Sequence, residues 1–337
     1  MRKTFQIPIA AEHTLYRQQG LLTSRQCDEL GITRQTRCRL VKQDRWRRPV
    51  RGVYDTDPVP LEARVRDDWF AHVARWRTWL ALLSHGPKAI AVGIGALVMH
   101  DVQGLPREFR AEVAMPHGSP RTNRAGTVRQ YSGFPTMRIG DREVATLEHA
   151  LAQALLRLPR QNALAVLDDA ARRLGMTPAR LAAVHDLLRG RPGAAHVHDL
   201  FPHIDQRTES PAESFTRFSL IENGVPPDDI QARIMTDGKI VARVDFIWRL
   251  PDGRWLVVEI DGIGPHSTQH ALVRDAPRQN ELLASGQVIM LRFKPKDNDK
   301  PGGIGRQVAK VLAKHGWRPG QYVAKGAVVE LSGTTRR

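Results

Sequence analysis

The sequence predicts an α/β (α+β) protein built from three parts, each with its own pattern. Near the amino terminus, two short helix patterns with cap residues precede a basic segment of β-prone residues. Residues 61–190 combine alternating segments with runs of leucine and alanine at helical spacing. After residue 205, strand-forming runs flank a Pro251-Asp252-Gly253 turn. These patterns predict a helical domain with a hairpin, an α/β middle region and a C-terminal mixed sheet flanked by helices.

The first part has the pattern of a winged helix-turn-helix. Thr23 and Gln26 form a capping-box pair at the start of one helix, and Gly31 ends it. A second helix starts at Thr33, and two short helices joined by a glycine turn make a helix-turn-helix. The basic segment 45–54 that follows is expected to form the hairpin, or wing. The alternative stays open that this helix pair binds nothing, because many helical pairs share the pattern.

The second helix and the wing carry the candidate nucleic-acid contacts. The helix is expected to expose Arg34, Arg37 and Lys42, while Cys38 and Val41 lie on the core side. Residues expected to face bases or to reach phosphates are Arg34, Gln35, Arg37, Arg47, Arg48 and Arg51. The first three belong to the helix and the last three to the wing.

The composition favours an anionic partner. The 337 residues include 51 Lys or Arg and 35 Asp or Glu, a formal net charge of +16. Residues 1–60 carry 12 of the basic and 6 of the acidic residues, so the basicity is concentrated there. Nucleic acid is therefore the leading candidate partner. The alternative is a coding bias that raises arginine and alanine without any binding role.

Cysteine usage and hydropathy indicate the compartment. Cys27 and Cys38 are too few for a disulfide framework or a four-sulfur zinc site, which indicates a reducing environment. The basic start is followed by no apolar stretch long enough for a signal peptide. The longest apolar run, 89–99, is far shorter than a bilayer span. We expect a cytoplasmic protein without a membrane partner.

The third part brings carboxylates together across a hairpin. Pro251-Asp252-Gly253 pre-sets a tight turn between two strands rich in Val, Ile, Phe and Trp. If the turn is centred on Asp252 and Gly253, the residue numbers of two residues that pair across the hairpin sum to about 504 or 505. This places Asp245 opposite Glu259 or Ile260. Period-2 alternation puts Glu259 and Asp261 on one face.

Clustered carboxylates of this kind indicate a metal site. Cross-strand β-carbons lie about 5 Å apart, and carboxylates so close repel unless a proton or a cation intervenes. Hard oxygen ligands suit Mg²⁺ or Mn²⁺. The alternative is a solvated strand face whose acids keep an edge soluble. Upstream, Ser210, Pro211 and Glu213 have the pattern of a capped helix start.

Two resemblances extend this interpretation. The segment LLTSRQCDELGITRQTRCRLVKQDRWRRPVRGVYDTD resembles the N-terminal domain of AbiE-type antitoxins, most specifically in its Gly52-Val53-Tyr54 ending. That family is described as DNA-binding, usually as repressors of their own operon. The resemblance therefore implies DNA as partner, and a cognate toxin is a candidate second partner. A homodimer is a further candidate, because helix-turn-helix proteins often pair.

The last third of the chain resembles the very-short-patch-repair-type endonucleases of the PD-(D/E)XK restriction-endonuclease-like superfamily. The matching pieces are SPAES, RVDFIW, LVVEIDG with His266, RDAPRQNELLASG and VIMLRF. The resemblance implies that Asp245 and Glu259 bind a divalent metal with the backbone carbonyl of Ile260. It also implies that Glu213 is the additional acid of the family.

One departure from the superfamily pattern affects catalysis. The chain has Asp261 where the superfamily motif ends in lysine, and an aspartate cannot stabilise charge on a phosphate. His266 could replace the lysine as general base, as a histidine does in the repair-type subgroup, or it could be a polar loop residue. Arg274 and Arg278 lie four apart and suit phosphates or surface ion pairs, although Pro277 interrupts a straight helix there.

The sequence thus predicts a DNA-binding protein with a metal-dependent endonuclease-like domain, acting in phage defence or DNA repair. The alternative is a non-catalytic, antitoxin-like repressor that uses the nuclease fold as a scaffold. The candidate catalytic residues are Glu213, Asp245, Glu259, Asp261 and His266. The predicted domains are a winged helix at 1–60, an α/β middle of unassigned role at 61–200, an endonuclease-like domain at 205–316 and a tail at 317–337.

Overall fold

The computed structural model has a mixed α/β fold, as predicted. The chain divides into two compact units. The first comprises Met1–Leu158 and Pro178–His198, and the second Pro159–Thr177 and Asp199–Arg337. The residues that the structure describes are 5–122, 125–236, 238–261, 285–320 and 328–331. The four predicted domain boundaries stay a prediction.

The first unit begins with the predicted helix pair and hairpin. Three strands form an antiparallel sheet in the order β1-β3-β2. The elements in chain order are α1 (Glu12–Arg17), β1 (Leu21–Thr23), α2 (Ser24–Glu29), α3 (Arg34–Lys42), β2 (Arg47–Val50) and β3 (Val53–Asp55). The predicted capping box is present, because Gln26 N donates to Thr23 Oγ1 (3.1 Å) and Thr23 N donates to Gln26 Oε1 (2.8 Å). Gly31 follows α2 with a φ of 73°, the left-handed conformation that ends helices.

The remainder of the first unit is a mixed sheet with helices, as expected for the middle region. The sheet order is β6-β5-β4-β8-β7 among the described strands. The elements are α4 (Trp69–His85), β4 (Ile90–Val92), α5 (Gly93–Met99), β5 (Glu112–Ala114), β6 (Thr127–Arg129), β7 (Thr136–Ile139), β8 (Arg142–Ala145) and α6 (Leu147–Leu155). Helix α7 (Arg160–Arg173) belongs to the second unit, and α8 (Pro178–Leu188) to the first.

The second unit is built on one mixed sheet flanked by helices. Its described strands lie in the order β12-β11-β10-β9-β13, with parallel pairs β11-β12 and β9-β13 and antiparallel pairs between. The elements are α9 (Pro211–Glu222), β9 (Asp229–Thr236), β10 (Lys239–Arg249), β11 (Trp255–Ile260), β12 (Val288–Phe293), α10 (Gly303–Lys314) and β13 (Val328–Leu331). Strand β9 was not predicted, because its polar residues interrupt the apolar alternation. Strand β13 lies in the segment that the sequence predicts as a tail.

The faces of the hairpin agree with the predicted alternation. Leu256 and Val258 pack with Phe246, α9 and α10 in one core. Trp255 and Val257 pack on the opposite face in a second core. Both faces of β11 are therefore covered along Trp255–Val258. No helix in the described part of the chain combines the length and the apolar character that crossing a bilayer requires.

Two adjacent acids of α7, Asp168 and Asp169, have the sequence pattern of a solvated helix face, but both are buried. The Asp168 carboxylate accepts from Arg217 Nη2 with both oxygens at 2.6 Å. It also accepts from Ser214 Oγ (2.8 Å) and from Asp205 N (3.0 Å). The helical pattern could not reveal this, because Arg217 and Ser214 come from a distant helix and supply the charge and the donors that make burial tolerable.

A half-buried acid gives this unit a defined pH dependence. Burial raises the pKa of Asp228 to about 6, although the carboxylate accepts from Arg249 N at 2.7 Å. Because the pKa of Asp228 is higher in the folded state than in the unfolded state, this carboxyl contributes stability at a pH below its unfolded-state pKa. That contribution is lost as pH rises through about 6. Asp228→Asn is therefore expected to stabilise the protein at pH 7 by on the order of 2 kcal/mol and to have no effect near pH 4. Urea unfolding at both pH values measures this. Equal stabilisation at the two pH values would contradict the assignment.

Candidate active site and nucleic-acid interface

The hairpin register brings Asp245 to the end of β11. Phe246 pairs with Val258 and Ile247 with Val257, so the numbers of paired residues sum to 504. The Asp245 Oδ2 atom accepts from the backbone N–H of Ile260 at 2.8 Å. The first of the two predicted registers is therefore the one observed.

Asp245 lies where side chains stop alternating regularly between the two faces of the sheet. On β10, Val244 packs in one core and Phe246 in the opposite one, although both have even numbers. On β9, Ala232 packs in the same core as Val244, and Ile230 packs in the same core as Phe246. The break on β9 falls at Gln231, whose φ of 52° is left-handed, an uncommon conformation for a residue with a side chain. Both strands therefore change faces at the same level of the sheet.

Gln231 and Asp245, the two residues at this break, are linked by hydrogen bonds to Glu213 of α9. Gln231 Nε2 donates to Asp245 Oδ1 (3.2 Å) and to Glu213 Oε2 (2.9 Å). Glu213 also accepts from Ser210 Oγ with Oε1 (2.8 Å) and from Glu209 N with Oε2 (2.9 Å). The predicted cap is present, with Ser210 as N-cap and proline at the first helical position. The result is a chain of hydrogen bonds from α9 through β9 to β10.

Burial raises the pKa of both acids of this pair. It raises the pKa of Glu213, although the Glu209 N–H opposes the shift, and the nearby Asp245 charge raises it further. Burial likewise raises the pKa of Asp245, against the hydrogen bond from Ile260 N. Two neighbouring carboxyls whose charged forms are disfavoured are typical of a functional site, since a cation would stabilise both charges.

The oxygen donors at this end of the sheet are of the chemical type that a hard divalent cation prefers. Asp245, Glu259 and the Ile260 carbonyl offer oxygen ligands at one end of β11. Within the described ranges, no group of three or more His, Cys, Asp or Glu side chains could hold a metal ion. Mg²⁺ commonly takes one or two carboxylates and completes its shell with water and substrate phosphate. Two carboxylates and a carbonyl are therefore sufficient for such a site.

Asp261 lies beside a cation that the sequence analysis missed. Its backbone N–H donates to Phe293 O (2.8 Å), and its Oδ1 accepts from Arg292 Nη2 (2.6 Å) and Nε (3.2 Å). Arg292 Nη2 also lies 3.6 Å from Glu259 Oε2. A lone arginine inside the apolar run VIMLRF was the available signal. The other predicted residues of this region, His266, Arg274 and Arg278, lie outside the described residues.

The exposed face of α3 differs from the predicted face. Arg37 is buried and donates through Nη1 to Asp28 Oδ1 (2.5 Å), Ile32 O (2.7 Å) and Ser24 O (3.2 Å). The prediction that Arg37 faces bases while Cys38 lies in the core is wrong, because Cys38 is exposed. Arg37 instead satisfies carbonyl oxygens of the turn between the helices. The exposed residues of α3 are Arg34, Gln35, Cys38, Arg39 and Lys42.

The wing presents its basic residues as predicted. Arg47, Arg48 and Arg51 are exposed on and beside β2. The Arg48 guanidinium lies 6.0 Å from the centre of the Tyr54 ring, and Arg47 Nε donates to Pro58 O at 3.2 Å. These contacts restrict two of the three arginines without burying them. Together with α3, they form a basic surface at the start of the chain.

Comparison with known proteins identifies two mycobacterial relatives. The uncharacterized proteins Rv2248 of Mycobacterium tuberculosis (strain ATCC 25618 / H37Rv) and MT2308 of strain CDC 1551 / Oshkosh are each 30% identical to this chain over 185 residues. The match covers 55% of this chain and 67% of each relative. No protein-family model matches the chain.

Proposed function

We propose that this chain, which belongs to the same family as the Mycobacterium tuberculosis proteins Rv2248 and MT2308, is a DNA-binding protein with a metal-dependent endonuclease site. The observation that carries the proposal is the acid pair Glu213 and Asp245, joined through Gln231 at a break in two strands. Such a break, with one buried and one half-buried acid beside it, is costly to a fold. The concentration of these features beside Glu259 therefore favours a catalytic role.

The residues divide into ligands and supports. Asp245 and Glu259 would hold Mg²⁺ or Mn²⁺ with the Ile260 carbonyl. A bound divalent cation would activate water and stabilise charge on the phosphodiester. Gln231 orients Asp245 through its amide, and Glu213 orients Gln231 in turn. A ligand held in this way by a surrounding hydrogen-bond network needs little reorganisation when the cation binds.

A non-catalytic, antitoxin-like repressor is the second candidate. One observation favours it: both Asp245 oxygens already accept hydrogen bonds within the chain, from Ile260 N and Gln231 Nε2. Asp261 also replaces the lysine of the superfamily motif. In this candidate the second unit would be a scaffold for a cognate toxin or a second copy of the chain. A cytoplasmic location and a role in phage defence or DNA repair fit either candidate.

A cleavage assay separates the candidates. The full chain is incubated with supercoiled plasmid and with single-stranded DNA, in Mg²⁺, in Mn²⁺ and in EDTA. Cutting with either metal and none in EDTA supports the endonuclease. Salt-sensitive DNA binding without cutting in any condition supports the repressor.

DNA binding itself gives a prediction for the wing. Arg48→Ala and Arg51→Ala are each expected to weaken binding equally for all sequences and to lower the slope of log affinity against log salt by about 0.9. Arg189→Ala is the control, since Arg189 is exposed and pairs only locally with Asp186 at 2.9 Å among the contacts described. Fluorescence anisotropy at several salt concentrations measures the slopes. Identical slopes for all three variants would remove the wing from the interface.

A further inference from the structure

Arg292 is a cation beside Glu259, one of the two proposed carboxylate ligands. In the parallel ladder between β11 and β12 it lies directly opposite Glu259. Its Nη2 atom is 2.6 Å from Asp261 Oδ1 and 3.6 Å from Glu259 Oε2. The side chain is 38% exposed, against 18% for Glu259. The guanidinium is therefore more exposed than Glu259 and about as exposed as Asp261.

The negative charge at this end of the sheet opposes the approach of DNA, and a guanidinium reduces that repulsion. Glu213, Asp245, Glu259 and Asp261 place acids around the end of β11, and a phosphodiester approaching them is repelled. A bound divalent cation offsets part of that charge. A guanidinium offers a planar fork of donors that matches phosphate oxygens. Its position opposite Glu259 suits a phosphate that also reaches a cation held by Glu259.

We propose that Arg292 binds the DNA phosphate beside Glu259 and that Asp261 is a positioning residue that orients the Arg292 guanidinium. This rests on the proposed endonuclease function. Asp261 accepts from both Nε and Nη2, which fixes the plane of the guanidinium. The β11-β12 ladder in turn fixes Asp261, whose N–H donates to Phe293 O at 2.8 Å. Asp261 thus acts on the substrate through Arg292 and takes no proton itself.

The competing explanation is an ordinary surface ion pair, and the same hairpin supplies a matched control. Arg254 and Asp252 also pair at 2.6 Å, with side chains 39% and 43% exposed, against 38% and 43% for Arg292 and Asp261. The control pair flanks the start of β11, whereas the proposed pair lies at its end. Arg254→Ala therefore removes the same charge at the same exposure, but away from the acids.

The experiment compares Arg292→Ala, Arg292→Lys and Arg254→Ala in the full chain. Affinity for a short duplex is measured against salt in Ca²⁺, and cutting in Mn²⁺. We expect Arg292→Ala to lower the salt slope by about 0.9 and to slow cutting by on the order of 100-fold. Arg292→Lys keeps the charge and should retain the slope but only part of the rate. Arg254→Ala should match the wild type in both measurements.

Asp261 is tested by two substitutions. Asp261→Asn keeps an oxygen for Arg292 but loses the charge, and should retain more of the rate than Asp261→Ala, which should be about 10-fold slower than the wild type. Loss of cutting in Asp261→Asn as complete as in Arg292→Ala overturns the positioning role. Equal salt slopes for Arg292→Ala and Arg254→Ala would show that Arg292 does not bind a phosphate. If the wild type does not cut at all, the endonuclease proposal fails, and the slopes in Ca²⁺ still decide whether Arg292 contacts phosphate.

Discussion

Asp245→Asn is expected to abolish metal-dependent DNA cutting. The substitution keeps the size of the side chain and an oxygen for the Ile260 N–H, which lies 2.8 Å from Asp245 Oδ2. It removes the negative charge that a divalent cation needs from its ligand. Loss of a supporting partner around a metal site costs about 10–100-fold in affinity or activity, and loss of a ligand should cost at least as much.

The control for this prediction is Asp252→Asn, which removes one negative charge from the turn of the same hairpin. The rate of plasmid nicking in Mn²⁺ is measured for both variants, with thermal unfolding to establish that each is folded. Asp252→Asn should cut at the wild-type rate. Cutting by Asp245→Asn at the rate of Asp252→Asn would exclude Asp245 from the site.

Asp168→Ala is expected to destabilise the second unit by about 3–5 kcal/mol, because it leaves the buried Arg217 guanidinium without its carboxylate. Arg217 is as buried as its partner, with side chains 6% and 1% exposed. The Ser214 hydroxyl and the Asp205 N–H also lose their acceptor. A loss of this size is a large part of the stability of an ordinary domain.

The matched control is Asp186→Ala, which breaks an exposed pair with Arg189 and should change stability by less than about 1 kcal/mol. Chemical denaturation followed by tryptophan fluorescence and circular dichroism measures both variants. Adding Arg217→Met to Asp168→Ala should recover part of the loss, since the unpaired charge is then gone. Equal effects of Asp168→Ala and Asp186→Ala would mean that the buried pair is not coupled to folding.

Local patterns predicted the features that depend on neighbouring residues. The turn at 251–253 determined the hairpin register, and with it the approach of Asp245 to the end of β11. The cap residues Thr23 and Ser210 determined two helix starts. In each case the interacting residues are close in sequence, so spacing alone carries the geometry.

The remaining features depend on contacts between distant segments. Gln231 adopts a left-handed conformation inside a strand, which no alternation pattern reveals. Arg292 reaches Asp261 only through a parallel pairing, and such pairings require a long crossover. Arg37 is buried because carbonyl oxygens and Asp28 accept its hydrogen bonds. From the sequence alone, a charged arginine is expected at the surface. Two of these three side chains contact the proposed site.

The proposed endonuclease site requires a divalent cation held by Asp245 and Glu259, and titration of Mn²⁺ into the full chain measures whether that cation binds. Electron paramagnetic resonance counts the free ion at each step. We expect saturable binding of a single Mn²⁺ by the wild type and by Asp252→Asn, and its loss in both Asp245→Asn and Glu259→Gln. Binding of Mn²⁺ by Asp245→Asn and Glu259→Gln that equals the wild type would contradict the proposed metal site.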